Sequence, residues 1–128
     1  MTPHPTEAVV ALLTTAGIDA MSHEPHVTPD GAYVVVYDDS GIRTPRRLST
    51  AAHWATWTHQ VMAVARTPEG LRHTMSRVVA ALTGHRPPDG GTPLREVMAG
   101  PALEGGPDGD RRHTQTITYR HHTPRSLP

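Results

Sequence analysis

The sequence predicts an α+β protein: a mixed, mainly antiparallel four-stranded sheet with two helices packed on one side. Three observations carry this expectation. Residues Trp57 to Val64 read as a strand that passes through a tight turn, Arg66-Thr67-Pro68-Glu69, into a helix. Tyr33-Val34-Val35-Val36-Tyr37 is β-branched and aromatic throughout, the composition of a strand buried on both faces. The order helix, strand, strand, helix, short strand, strand lacks the regular βαβ alternation of a parallel sheet, and its spacing suits hairpin-like pairing.

Taken in order, Thr6-Glu7 caps a first helix over about Glu7 to Ala16. Val9, Val10, Leu12 and Leu13 give that helix an apolar side, and Gly17 stops it. Ile18 to Asp30 carries two prolines and reads as irregular, ending in the Asp30-Gly31 turn signal. The strand Ala32–Tyr37 follows. Asp38 to His53 is a long loop holding Gly41, Pro45 and a basic cluster of Arg43, Arg46 and Arg47. On the next strand, alternation puts Trp57, His59, Val61 and Ala63 on one face and Thr58, Gln60, Met62 and Val64 on the other.

The second helix has a complete local code. Thr67 caps the free N–H groups, Pro68 suits the first helical position, and Glu69 sits at the positive end of the dipole. Met75, Val78, Val79 and Leu82 recur at offsets 4, 7, 8 and 11 from Leu71, one apolar stripe that ends at Gly84. His85 to Gly91 is a Pro/Gly turn, and Leu94 to Met98 a short strand. Ala99 to Asp110 is rich in Gly and reads as a mobile loop. In the last strand, His113, Gln115, Ile117, Tyr119 and His121 alternate with Thr114, Thr116, Thr118 and Arg120. One face is partly apolar and the other hydrophilic, as in a sheet covered on one side. The 128 residues make a single domain with its core over about residues 5–121 and a flexible tail from 122 to 128.

The hydrophobic fraction is 36%, and Phe, Cys, Lys and Asn do not occur. A core built from Val, Leu, Met and Ala, with two Trp and three Tyr as its large rings, gains stability by burying surface in an assembly. The formal charge is zero, so no global field draws the chain to nucleic acid or membrane. With no Cys there are no disulfides and no thiolate chemistry. The apolar run Ala8–Leu13 is too short for a signal peptide or a membrane span, which predicts an intracellular protein.

Ten His raise the question of a metal. His23-Glu24-Pro25-His26 has the wrong spacing for a helical ligand pair, and His121-His122 point to opposite faces of a strand, so the histidines read as solvated or interfacial. No Gly-x-Ser-x-Gly elbow is present, and Asp38-Asp39 read as solvated turn residues. Gly105-Gly106-Pro107-Asp108-Gly109-Asp110 has neither a phosphate-loop ending nor calcium-loop spacing. The expectation is no catalytic residue, no metal and no cofactor. Arg43, Arg46 and Arg47 read as a solvated loop or as partners in inter-subunit salt bridges, with phosphate contact as the alternative. Trp54 and Trp57 read as core or interface packing, or else as stacking platforms.

In its element order and short apolar strings the chain resembles the tail terminator (tail-completion, or minor tail) proteins of long-tailed phages, especially those of actinobacterial hosts. The likeness runs through Tyr33–Tyr37, a loop with Arg47-Leu48, Trp57–Val64, the capped helix Thr67–Leu82 with its Thr83-Gly84-His85-Arg86 ending, and Gln115–Arg120. It covers about residues 5 to 121. At His59 family members tend to carry an aromatic ring.

The resemblance implies a non-enzymatic virion protein of the tail or neck, assembled in the host cytoplasm. Its copies would form a homo-hexameric ring on the finished tail tube, stop polymerisation of the major tail tube protein and meet a head–tail connector or stopper protein. Passing contact with DNA in the channel belongs to that picture; a membrane does not. The contact surfaces it implies are the Asp38–His53 loop, the Trp57–Val64 strand and the Ala99–Asp110 loop, hence Arg43, Arg46, Arg47, Trp54, Trp57, His59 and Val61. Two alternatives are a head–tail stopper or other neck protein and a small His-dependent metalloenzyme.

Overall fold

A computed structural model describes residues 4–23, 25, 29, 31–38, 54–88, 91–106 and 109–124. The chain is α+β, with two helices and a mixed sheet of six strands. Helix α1 (Pro5–Thr15) leads into β1 (Ala20–Met21) and β2 (Tyr33–Asp38). Strand β3 (Trp54–Ala65) turns into α2 (Pro68–Leu82), and β4 (Arg95–Ala99), β5 (Leu103–Gly105) and β6 (Arg112–Pro124) follow.

The sheet is ordered β1-β2-β3-β6-β4, with β5 also on β6. The β2–β3, β3–β6, β4–β6 and β5–β6 pairings are antiparallel, and β1 lies parallel to β2. The four expected strands are therefore all present, and two short ones extend the sheet. Strand β1 forms inside the stretch read as irregular, where Val34 N–H donates to the Asp19 carbonyl at 2.9 Å. Strand β5 forms inside the Gly-rich stretch read as a loop. Two residues and three residues carry no alternation of their own, so only the neighbouring strand's free N–H and C=O groups specify them.

The centre is the β3–β6 ladder, in register from Trp54↔Pro124 to Ala65↔His113. It is longer than expected at both ends, because each strand supplies partners for the other's terminal residues. His122, Thr123 and Pro124, expected in a loose tail, belong to β6.

Helices α1 and α2 pack in one cluster against the same sheet face. Val9, Leu13, Leu71, Met75, Val78 and Leu82 meet Val34, Val36, Val61, Ala63, Ile117 and Tyr119, all at most 8% exposed. Each fully buried Val or Leu contributes roughly 1.5–3 kcal/mol, so this layer is the main source of stability. Helix α2 starts as its sequence dictates: Thr67 Oγ1 accepts from Gly70 N–H at 3.0 Å. The start of α1 differs from expectation. His4 is the cap, with Nδ1 accepting from Thr6 N–H at 3.2 Å, because Pro5 takes the first helical position. Arg77 donates to the Ala16 carbonyl at 2.9 Å and ties the end of α1 to α2. Gly17 makes this possible: its φ is +83°, and a Cβ there would lie 3.1 Å from the Arg77 guanidinium. Among the described residues no helix is long and apolar enough to cross a membrane.

Candidate assembly surface

The register divides the sheet into two faces of different chemistry. The helix-covered face is apolar in its middle and polar at the β3 start and β6 end. There His59 and His121, 0% and 1% exposed, meet Nε2 to Nδ1 at 3.1 Å. Beside them Trp57 Nε1 donates to Thr123 Oγ1 at 2.9 Å, and its ring meets the edge of His4 with centroids 5.1 Å apart. The Tyr119 hydroxyl is hydrogen-bonded to Thr83 Oγ1 at 2.9 Å, which joins β6 to the end of α2. Burial first, and the Glu96 charge as a lesser cause, raise the Tyr119 phenol pKa against the lowering effect of that bond. These groups pin strands and helix ends to one another. Among the described residues no three His, Asp or Glu side chains gather as a metal set.

The second face changes character across the sheet. Toward β2 it carries a small apolar cluster, Tyr33, Val35 and Val64, flanked by Met21, Tyr37 and Met62. Arg112 closes one end of it, donating to Asp110 Oδ1 at 3.0 Å and to the Pro29 carbonyl at 3.1 Å. Toward β6 the same face is hydrophilic, with Thr114, Thr116, Thr118, Arg120 and His122 in alternation. Thr56 Oγ1 and His122 Nδ1 are 3.0 Å apart across the ladder.

The outer edge of the sheet is its least protected part. Strands β4 and β5 lie end to end along β6, linked by Gly100 N–H to the Thr116 carbonyl at 2.8 Å and by Gln115 Nε2 to the Gly100 carbonyl at 2.8 Å. Every residue of both strands is exposed. Val97 (46% exposed), Met98 (63%) and Leu103 (61%) stand here, three of the four large apolar side chains exposed among the described residues. A bulge between Glu96 and Met98 places Val97 outside the regular pairing. Between Leu103 and Met62 runs a groove of about 480 Å³, floored by Tyr33 and Val64.

The residues read from the sequence as contact surface fall in three places. Arg43, Arg46 and Arg47, with the loop that carries them, lie outside the described residues, and Trp54 is placed only as the first residue of β3. Trp57 is half-buried under His4. His59 and Val61 have no exposed surface and belong to the interior of this chain. Of the Ala99–Asp110 stretch, β5 and Leu103 stand on the exposed edge. Sequence reading missed Val97 and Met98 as surface; the signal was a short strand whose apolar residues are adjacent and not alternate, as at a bulged edge.

Comparison with protein-family models finds no match, and comparison with curated proteins finds none either.

Proposed function

We propose that the protein is a tail terminator of a long-tailed phage, a structural subunit whose copies close into a hexameric ring on the end of the tail tube. The observation that supports this most is the exposed edge 95–105. Among the described residues no strand pairs its outer side, and an exposed edge that carries three large apolar side chains is a liability in a lone domain and an asset in a subunit whose neighbour covers it. The opposite edge is the two-residue strand β1, so the two edges are unlike. Contact between unlike surfaces is heterologous, and heterologous contacts generate rings when the rotation closes. In this reading the β4–β5 edge and the groove beside Leu103 meet the next copy. One ring face docks on the major tail tube protein and the other receives the head–tail connector, so the tube ends because the second face does not copy the first.

Deleting the gene tests it. The expected result is tails of uncontrolled length, seen by electron microscopy of lysates. Tails of normal length that fail to join heads would instead place the protein in the neck, and normal virions would remove both readings.

A further inference from the structure

We infer that the groove between β4 and β6 on the hydrophilic face is a binding site for a phosphate group. Arg95 and Arg120 are direct cross-strand partners there. Residues so placed hold their Cβ atoms about 5 Å apart, and like charges in this relation destabilise a sheet. Both side chains are exposed, and neither is in an ion pair among the described residues. Together with His122 and Thr92 they line a groove of about 490 Å³. An oxyanion between the two guanidiniums converts that repulsion into attraction.

His122 is the third group. Its Nδ1 is engaged by Thr56 Oγ1, and its backbone N–H donates to Thr92 Oγ1 at 2.9 Å. The ring is thereby fixed, with Nε2 as its remaining polar atom. Burial lowers the pKa of His122, and His121, Arg120 and Arg95 lower it further. Among the described residues Glu96 is the one carboxylate lining the groove. Its register partner is Tyr119, which faces the helices, so it sits at the rim. Among the described residues, two guanidiniums against one rim carboxylate leave a positive site. Two forked donors and an imidazole match the several oxygens of a phosphate better than the two of a carboxylate. The phosphate can be free or part of a nucleic-acid backbone.

The test is titration of the whole protein near neutral pH, followed by the ring resonances of His122. Inorganic phosphate is one probe, a mixed-sequence oligonucleotide a second, and an oligoglutamate peptide a third. Phosphate or oligonucleotide is expected to bind and raise the His122 pKa, because the anion offsets the two arginines. Arg95→Gln with Arg120→Gln is expected to weaken binding by about tenfold or more. That variant should melt no lower than the parent, since it removes a repulsion, while Arg72→Gln on α2 should bind as the parent does. Tighter binding of the oligonucleotide than of inorganic phosphate identifies a nucleic-acid backbone, and equal binding per phosphate identifies the free anion. Binding of oligoglutamate alone, or binding that the double variant does not weaken, overturns the assignment.

Discussion

His59 Nε2 and His121 Nδ1 meet at 3.1 Å in the interior of the chain, from positions 62 residues apart in sequence. One nitrogen must carry a hydrogen and the other must not, so each ring fixes the tautomer of its partner. The contact runs diagonally on the helix-covered face of the central ladder, where His59 lies opposite Tyr119 and His121 opposite Trp57. His121→Ala takes the partner from His59 Nε2 and opens a cavity beside it. The expected cost is about 2–4 kcal/mol, from the unmet polar atom and the lost packing together. Urea unfolding of the two single variants and the double variant measures it. The double variant should cost less than the sum of the singles, and strict additivity would show that the rings do not support one another.

Acid should destabilise the protein through His122. Its pKa in the folded state lies below the ordinary value of about 6.5, chiefly because it is partly buried. Between the two values the unfolded chain binds the extra proton, so stability rises with pH in that window. The contribution is complete above about pH 6.5 and is lost as pH falls through the folded value. Urea midpoints across this range should fall toward acid, and His122→Gln should flatten the slope. An unchanged slope would assign the acid sensitivity to other histidines.

The cap of α2 offers a local check. Thr67→Ala removes the acceptor from Gly70 N–H and should cost about 1 kcal/mol, while Thr67→Asp should keep most of it. Thermal melting followed by circular dichroism distinguishes the two.

At the exposed edge, Met98→Arg should leave the isolated chain within about 0.5 kcal/mol of the parent, because Met98 is 63% exposed. In the proposed ring, the same change should block assembly. Sedimentation velocity with tube protein present reads the outcome, and rings of normal size would move the seam away from β4.

How much of this could be read beforehand depended on whether the cause was local. Helix α2 was legible to within a residue, since Thr67, Pro68 and the Leu71–Leu82 stripe act within a few turns. Val34 and Val36 were legible as core because every residue around them is apolar. Ala20-Met21 as a strand was not, because parallel pairing to Val34 and Val35 is its whole support. The histidine pair was misread as solvated or interfacial, though its position on the strands was legible. Alternation put His59 beside Val61 and His121 beside Tyr119 on apolar faces, which is the mark of a polar group needing an interior partner. Which partner it took depended on the β3–β6 register, and no short window of sequence contains that. Arg95 and Arg120 became neighbours through the same kind of long-range pairing.

Of the described strands, the last in chain order is the one that β3, β4 and β5 all lean on. Until it arrives, β3 has β2 on one side and nothing on the other. Closing a loop of some sixty residues is slow beside helix formation, and topologies of this kind fold over milliseconds to seconds. In a cell making many copies at once, β3 of one chain can accept β6 of another, with every ladder bond and the histidine contact intact. Exchange of β6 is thus the misassembly to which this architecture is most open.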